Sequence, residues 1–163
     1  MPYIMTLMSL FAADSIIKYQ IEKRDVVSEP SAAGSRIVVK RYHNRGAMLN
    51  IGDKNQDWIA LLSLVFSAFV TGIFAATLEL RGKHLLKTGL ALILGGAYSN
   101  TYDRLRRKYV VDYFSIHVVN TEKCSNRLLR KLDDKLSSIV FNLADFGIII
   151  GAMLSVISKL GSE

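Results

Sequence analysis

Long apolar stretches alternate with polar segments along this chain of 163 residues. Trp58 to Leu78 contains no charged residue and is long enough to cross a bilayer, which takes roughly 20 apolar residues. Three similar stretches carry one or two isolated charges each, which tilt and snorkelling side chains can accommodate. The pattern predicts four transmembrane helices. They cover about residues 2–20, 58–80, 85–104 and 137–160.

The polar segments between these helices differ in character. Residues 36–43 are rich in β-branched side chains and predict a strand, followed by Gly46 and Gly52. Residues 126–136 place leucines at helical spacing, which predicts a short helix on the protein surface or on the membrane interface. We therefore predict an all-α membrane protein with a small β-rich part outside the membrane. It forms one domain, 1–163, with outer loops at about 21–57 and 105–136.

Composition and charge narrow the picture further. Half of the residues are hydrophobic and the formal net charge is +7, with most basic residues in the two long polar segments. The positive-inside rule would place those segments in the cytoplasm. The basic residues flank membrane spans and no recognised nucleic-acid module is present, so nucleic-acid binding is not expected. The first apolar stretch follows no basic residue and contains Asp14, which favours a retained helix over a cleaved signal peptide.

Little in the sequence suggests metal or thiol chemistry. Cys124 is the only cysteine, so no internal disulfide can form. His43, His84 and His117 are far apart and lack the spacing of metal ligands. We expect neither a metal nor another cofactor.

Polar side chains inside the predicted spans occur in pairs that share a helix face. Asp14 and Lys18 are four residues apart, while Asn100 with Asp103, and Asn142 with Asp145, are three apart. Ionisable residues in a membrane span cost roughly 2.5–3.5 kcal/mol each on insertion scales, so they commonly mark functional sites. In an up-and-down bundle all three pairs lie near the same membrane surface. The pattern predicts that they meet and satisfy one another's hydrogen bonds.

These residues belong to four blocks that resemble the motifs of signal peptidase II, the lipoprotein signal peptidase family. The resemblance covers nearly the whole chain. Its most specific part is a Gly-Gly-x-x-x-Asn-x-x-Asp-Arg element followed by Val-Val-Asp. Two departures are serines at 137 and 138, where the family commonly has a proline nearby, and a longer segment around 121–135. The blocks, in order, contain Asp14 and Lys18; Asn44, Gly46 and Ala47; Gly95, Gly96, Asn100, Asp103, Arg104 and Asp112; and Phe141, Asn142, Ala144 and Asp145.

The resemblance implies an aspartyl endopeptidase of the bacterial cell membrane. Asp112 and Asp145 would be its catalytic carboxylates, and the active site would lie near the extracytoplasmic face. The substrates would be diacylglyceryl-modified prolipoproteins, cut before the lipidated cysteine. This orientation opposes the positive-inside rule, and a basic outer surface would then contact anionic lipid head groups. A monomer is expected.

The remaining polar residues of the blocks are expected to support substrate and carboxylates, with a purely structural role as the alternative for each. Asp103 competes as a catalytic residue, although we expect it to pair with Arg104 or with nearby backbone. Gly95 and Gly96 are expected to permit close helix packing. The supporting residues are Asp14, Lys18, Asn44, Asn100, Asp103, Arg104, Asn142 and Ala144.

Two other functions fit the same polar residues. A catalytically inactive relative would bind lipoprotein signal peptides without cutting them. A proton or ion pathway would also use intramembrane aspartates. The clustering of the acids near one membrane surface argues against a pathway through the membrane, and the presence of both candidate catalytic aspartates argues against an inactive relative.

Overall fold

The computed structural model describes residues 1–23, 37–46, 55–116 and 139–161. Four helices and a small antiparallel sheet make up this part of the chain, which confirms the mostly helical fold and the small β-rich part. The predicted helix at 126–136, the lengthened segment around it, Ala47, His117 and Cys124 lie outside the described residues. The elements in chain order are α1 (Pro2–Lys23), β1 (Ile37–Asn44), α2 (Gln56–Leu78), α3 (His84–Arg107), β2 (Val110–Ile116), β3 (Val140–Phe141) and α4 (Leu143–Leu160).

Helix α3 is the centre of the bundle and packs against α1, α2 and α4. Glycines on α3 allow the close approach that the sequence predicted. A Cβ atom on Gly95 would lie 2.8 Å from the Leu7 carbonyl oxygen of α1, and one on Gly96 would collide with the Ala144 carbonyl oxygen of α4. Small residues let the helix backbones pack directly against each other.

Helices α2 and α4 are long and apolar enough to cross a membrane, with mean hydropathies of 2.3 and 1.8. Large apolar side chains on their outer faces, such as Leu62, Phe69 and Met153, are more than half exposed. Helices α1 and α3, which carry most of the buried charges, do not reach the same hydropathy. Length and composition therefore support two of the four predicted spans, and the other two stay a prediction.

The sheet has the strand order β1-β2-β3, with antiparallel pairing throughout. Strand β1 confirms the strand predicted at 36–43, and its register is irregular between Val39 and Tyr42. Strand β2, which carries Asp112, lies in a segment that was expected to be an outer loop. Its β-branched and aromatic residues are typical of a strand.

The predicted start of the last helix at residue 137 is wrong. Val140 and Phe141 form β3 and pair with Ser115 and Phe114 of β2. The helix begins only at Leu143, after a capping box whose N-cap residue is Asn142. The cap ends the strand because the asparagine side chain bonds the backbone of the first helical turn.

Candidate active site

A fully buried carboxylate joins four elements at the end of the bundle that faces the sheet. Asp14 of α1 accepts hydrogen bonds from the Ser99 hydroxyl of α3 (2.6 Å) and the Tyr113 hydroxyl of β2 (2.9 Å). The Ala144 backbone N–H of α4 donates to the same carboxylate (3.2 Å), and the Lys18 ammonium lies 2.7 Å away. The Asp14 carboxylate thus connects α1 with α3, α4 and β2.

Lys18 is the cation at the centre of this network and is only 1% exposed. Its ammonium contacts Asp14 (2.7 Å) and Asp103 (3.0 Å), two carboxylates on different helices. It also donates to the Ser99 hydroxyl (3.2 Å) and to Asn100 Oδ1 (2.8 Å). A buried charge is tolerated when opposite charges and hydrogen bonds surround it in this way.

Two asparagines connect this network to the candidate catalytic carboxylates. Asn100 Oδ1 accepts from Lys18, so its Nδ2 is free to donate to Asp145 (3.0 Å). Asn142 Oδ1 accepts from the Asp145 backbone N–H (2.9 Å), and its Nδ2 donates to Asp112 (2.7 Å). In both residues a donor at the oxygen fixes the orientation of the amide group. Each amide group therefore directs an N–H at a carboxylate.

Asp112 lies on β2 and is 2% exposed. Its two oxygens accept from Asn142 and from Asn44 of β1, the latter at 3.1 Å. Burial and, to a smaller extent, the nearby Asp145 raise the pKa of the Asp112 carboxyl to about 7, against the opposing effects of the two asparagines and Lys18. Asp112 therefore carries a proton over most of the range below neutral pH.

The structure resolves the expected pairing of Asp103. This carboxylate contacts Lys18 and, at 3.6 Å, the guanidinium of Arg107, and it accepts from the Val111 backbone N–H (3.5 Å). Of the two expected partners, the backbone is present, whereas Arg104 forms no salt bridge with Asp103 in the described part of the chain. Asp103 is thus bonded to groups of α1, α3 and β2.

A cavity of about 430 Å³ opens beside the two candidate catalytic carboxylates. Its walls come from α2, α3, α4 and all three strands, and most of their surface is apolar. Arg104 also lines the cavity, and among the described residues its buried Nε has no hydrogen-bond partner. An apolar cavity with a few convergent polar groups is typical of a ligand site. The polar lining residues are Asn44, Ser63, Ser67, Asn100, Thr101, Arg104, Asp112 and Asp145.

The described residues contain no cluster of three or more His, Cys, Asp or Glu side chains that could hold a metal ion. The geometry itself supplies two carboxylates bridged by one asparagine. One carboxylate can hold a proton while the other accepts one, which is the requirement for general acid–base catalysis.

The sequence matches the family model of signal peptidase (SPase) II over residues 6–160. The chain belongs to the signal peptidase II family. A lipoprotein signal peptidase from Caldicellulosiruptor bescii is 31% identical over 166 residues, which cover 100% of this chain and 95% of that protein. Another, from Allorhizobium ampelinum, is 30% identical, and the match covers 98% of this chain and 88% of the relative.

Solved structures share the fold. A bacterial membrane enzyme determined by the in meso method at 2.3 Å resolution matches with a TM-score of 0.75, covering 98% of this chain and 88% of that one at 16% identity. A second bacterial membrane enzyme, determined by the same method at 1.9 Å, matches with a TM-score of 0.71 at 17% identity. This signal peptidase II chain therefore shares its fold with bacterial membrane enzymes.

Most residues predicted from the family motifs meet at one place in this signal peptidase II chain. The three polar pairs converge near the end of the bundle, and Asn44 reaches them from the sheet. Ala144 contributes its backbone N–H instead of its side chain.

Sequence reasoning missed two members of the network. The Tyr113 hydroxyl donates to Asp14 and accepts from the Leu143 backbone N–H (3.0 Å), and the Ser99 hydroxyl links Asp14 with Lys18. Burial and the neighbouring Asp14 raise the pKa of Tyr113 well above its usual value, so its hydroxyl stays protonated. Tyr113 directly follows Asp112, and the need of a buried aspartate for several donors is the signal that could have pointed to it.

Proposed function

We propose that this chain is an aspartyl endopeptidase that removes signal peptides from diacylglyceryl-modified prolipoproteins and cuts before the lipidated cysteine. The observation that carries the proposal is the single asparagine, Asn142, that bonds Asp112 through its side chain and caps the helix of Asp145. Relatives over the full chain length are named lipoprotein signal peptidase, which supports this substrate class.

We assign different roles to the two carboxylates because their surroundings differ. Asp145 accepts from the Asn100 side chain and from the Asn142 backbone N–H (3.1 Å), and Lys18 stands behind Asn100. Asp145 also lies in the first turn of α4, where the helix N-terminus favours a negative charge, whereas Asp112 lies on a strand. Asp145 is therefore the base that takes a proton from the attacking water. Asp112, with its raised pKa, holds the proton and acts as the acid.

The reaction then needs no group beyond water and the two carboxyls. Water oxygen bonds to the scissile carbonyl carbon as Asp145 takes its proton and Asp112 protonates the carbonyl oxygen. The tetrahedral intermediate collapses when Asp145 returns a proton to the leaving amine and Asp112 recovers one from the hydroxyl. The C–N bond breaks, and both carboxyls regain their starting states. The Nε of Arg104, which has no hydrogen-bond partner among the described residues, is placed to bind a substrate carbonyl oxygen beside them.

We further propose that all four helices span the bacterial cell membrane and that the sheet lies on the extracytoplasmic side. In that arrangement the carboxylates stand near the membrane surface, where a lipid-modified cysteine and a signal helix arrive laterally. The outward-facing apolar side chains of α2 and α4 support contact with lipid. A monomer is sufficient, since all groups of the proposed site come from one chain.

Cleavage by the purified protein tests the proposal. A diacylglyceryl-modified prolipoprotein is incubated with wild type, Asp112→Asn and Asp145→Asn in detergent, and an unlipidated precursor serves as substrate control. We expect wild type to cut only the lipidated form and both variants to lose more than about a thousandfold in rate, as for removal of one member of a catalytic pair.

Three outcomes would contradict parts of this assignment. A folded wild-type protein that binds the precursor but never cuts it would be an inactive relative. If Asp112→Asn still cuts and Asp103→Asn does not, the acid is Asp103. Cleavage that survives both dyad substitutions would exclude the aspartyl mechanism.

A further inference from the structure

A contact outside the proposed catalytic groups joins α1 to the sheet. His43 Nε2 on β1 lies 2.6 Å from Glu22 Oε1, in the last turn of α1. Arg41, two residues earlier and hence on the same face of the strand, places Nη1 3.4 Å from the Glu22 carbonyl oxygen. Two neighbouring side chains of β1 thus reach the same residue of α1.

The imidazole ring of His43 has a second neighbour. The Tyr109 ring lies against it, with ring centroids 4.2 Å apart and planes inclined by 33°. Tyr109 stands between the end of α3 and the start of β2, and it packs against the buried cluster of Ile21, Val111 and Tyr113. His43 is therefore held between a carboxylate on α1 and an aromatic ring at the α3–β2 junction.

The next residue along β1 is part of the proposed active site. The Asn44 amide donates to Asp112 at 3.1 Å, while its oxygen accepts from the Gly46 backbone N–H at 3.2 Å. Side chains alternate along a strand, so His43 faces away from Asp112 and Asn44 faces towards it. Strand β1 lies at the edge of the strand order, and its register with β2 is irregular before Tyr42.

We propose that the contact of His43 with Glu22 and Tyr109 positions Asn44 against Asp112. His43 is then a positioning residue of the active site, and the inference rests on the proposed function. The three residues act as a clasp: fixing the backbone at His43 fixes the point from which the Asn44 side chain projects. Loss of the clasp weakens the Asn44–Asp112 bond without touching either residue.

The test uses full-length protein in detergent and substitutions that separate the two halves of the clasp. His43→Phe keeps a ring against Tyr109 but removes the bond to Glu22, and Glu22→Gln keeps a hydrogen-bonding partner for His43. The matched control is His84→Phe at the other end of the bundle, where His84 Nδ1 lies 2.6 Å from the Tyr3 hydroxyl. That substitution also removes an exposed histidine hydrogen bond.

We expect His43→Phe to lower kcat about tenfold, the effect of losing roughly one hydrogen bond. Glu22→Gln and His84→Phe should stay within about twofold of wild type. The alkaline limb of the pH–rate profile should move to higher pH in His43→Phe, because Asn44 no longer favours ionised Asp112. The charged groups facing Asp112, namely Asp145 on α4, Lys18 on α1 and Arg104 on α3, are unchanged in all these variants.

A double variant and a measurement independent of cleavage complete the test. His43→Phe should add nothing to Asn44→Ala, since both remove the same contact. Hydrogen exchange of the residues 37–46 peptide should accelerate in His43→Phe and not in His84→Phe, whether or not the chain cuts prolipoproteins. Multiplicative effects of the two substitutions, or unchanged exchange together with an unchanged pH profile, would overturn the clasp. Failure of the dyad variants to abolish cleavage would instead refute the proposed function and leave the exchange result intact.

Discussion

At the residue scale, the titration of Asp112 gives a prediction about pH. Burial raises its pKa to about 7, and the proposed mechanism needs the protonated form. We expect kcat/KM to fall above neutral pH, by tenfold for each further pH unit. The pH–rate profile of purified enzyme checks this. Asp57→Asn, which removes an exposed carboxylate, should follow the wild-type profile, whereas a flat wild-type profile from pH 6 to 9 would contradict the role of Asp112.

The same titration affects folding, with a defined sign. The folded pKa lies above the unfolded value of roughly 3.9, so the folded state binds more protons between these two limits. The contribution of Asp112 to stability is complete below the unfolded pKa and is lost as pH rises towards about 7. Relative to wild type, the melting temperature of Asp112→Asn should therefore be higher at pH 8 than at pH 5. A difference in melting temperature that is the same at both pH values would refute this effect of Asp112.

A third residue-scale prediction concerns the buried cation. Lys18→Met leaves Asp14 and Asp103 without their shared partner, and breaking a buried ion pair from one side costs about 3–5 kcal/mol. Lys108→Met breaks the exposed pair with Asp57 and should cost less than about 1 kcal/mol. Free energies of unfolding in mixed micelles compare the two. Equal losses would mean that the buried network does not stabilise the bundle.

At the scale of elements, the contact between α3 and α4 depends on the absence of a side chain. Gly96→Ala would drive a methyl group into the Ala144 backbone, next to Asp145. We expect a loss of about 1–3 kcal/mol, typical of overpacking, together with slower cleavage. Gly72→Ala on α2 is the control, because a Cβ there meets nothing within 4 Å and should stabilise the helix by up to about 1 kcal/mol. Melting temperatures of both variants measure these two effects. A Gly96→Ala variant that is more stable than wild type would contradict the close packing of α3 against α4.

Periodicity and motifs predicted most of the helices and strands, because these elements have local causes in the sequence. The helices were predictable because apolar runs and polar pairs at helical spacing have local causes. Strand β1 followed from its β-branched residues, but β3 was absorbed into a predicted helix because two residues give no period. Its pairing with Phe114 and Ser115 is a long-range contact that no local pattern contains. The meeting of Asn100, Asn142 and Asp112 was implied by the motifs, whereas the part played by Tyr113 depends on three-dimensional packing alone.

At the scale of the whole molecule, the proposed topology can be tested by labelling. In a Cys124→Ser background, Arg45→Cys near the sheet should react with an impermeant thiol reagent in intact cells. Arg81→Cys in the α2–α3 turn and Gly161→Cys after α4 should react only once the membrane is opened. Arg81 and Gly161 both lie at the end of the helix bundle that is remote from the sheet. Labelling of Arg81→Cys from outside would reverse the orientation, as the positive-inside rule predicts.

The buried charges also bear on how such a protein is assembled. Asp14 has Lys18 four residues later on the same helix, and Asp103 has Arg107 at the same spacing. The carboxylate of Asp145 bonds within its own capping box. Each of these three carboxylates thus has a partner on its own segment. The nascent helices can leave the insertion machinery with these bonds already formed, and the contacts between helices are added when the bundle closes.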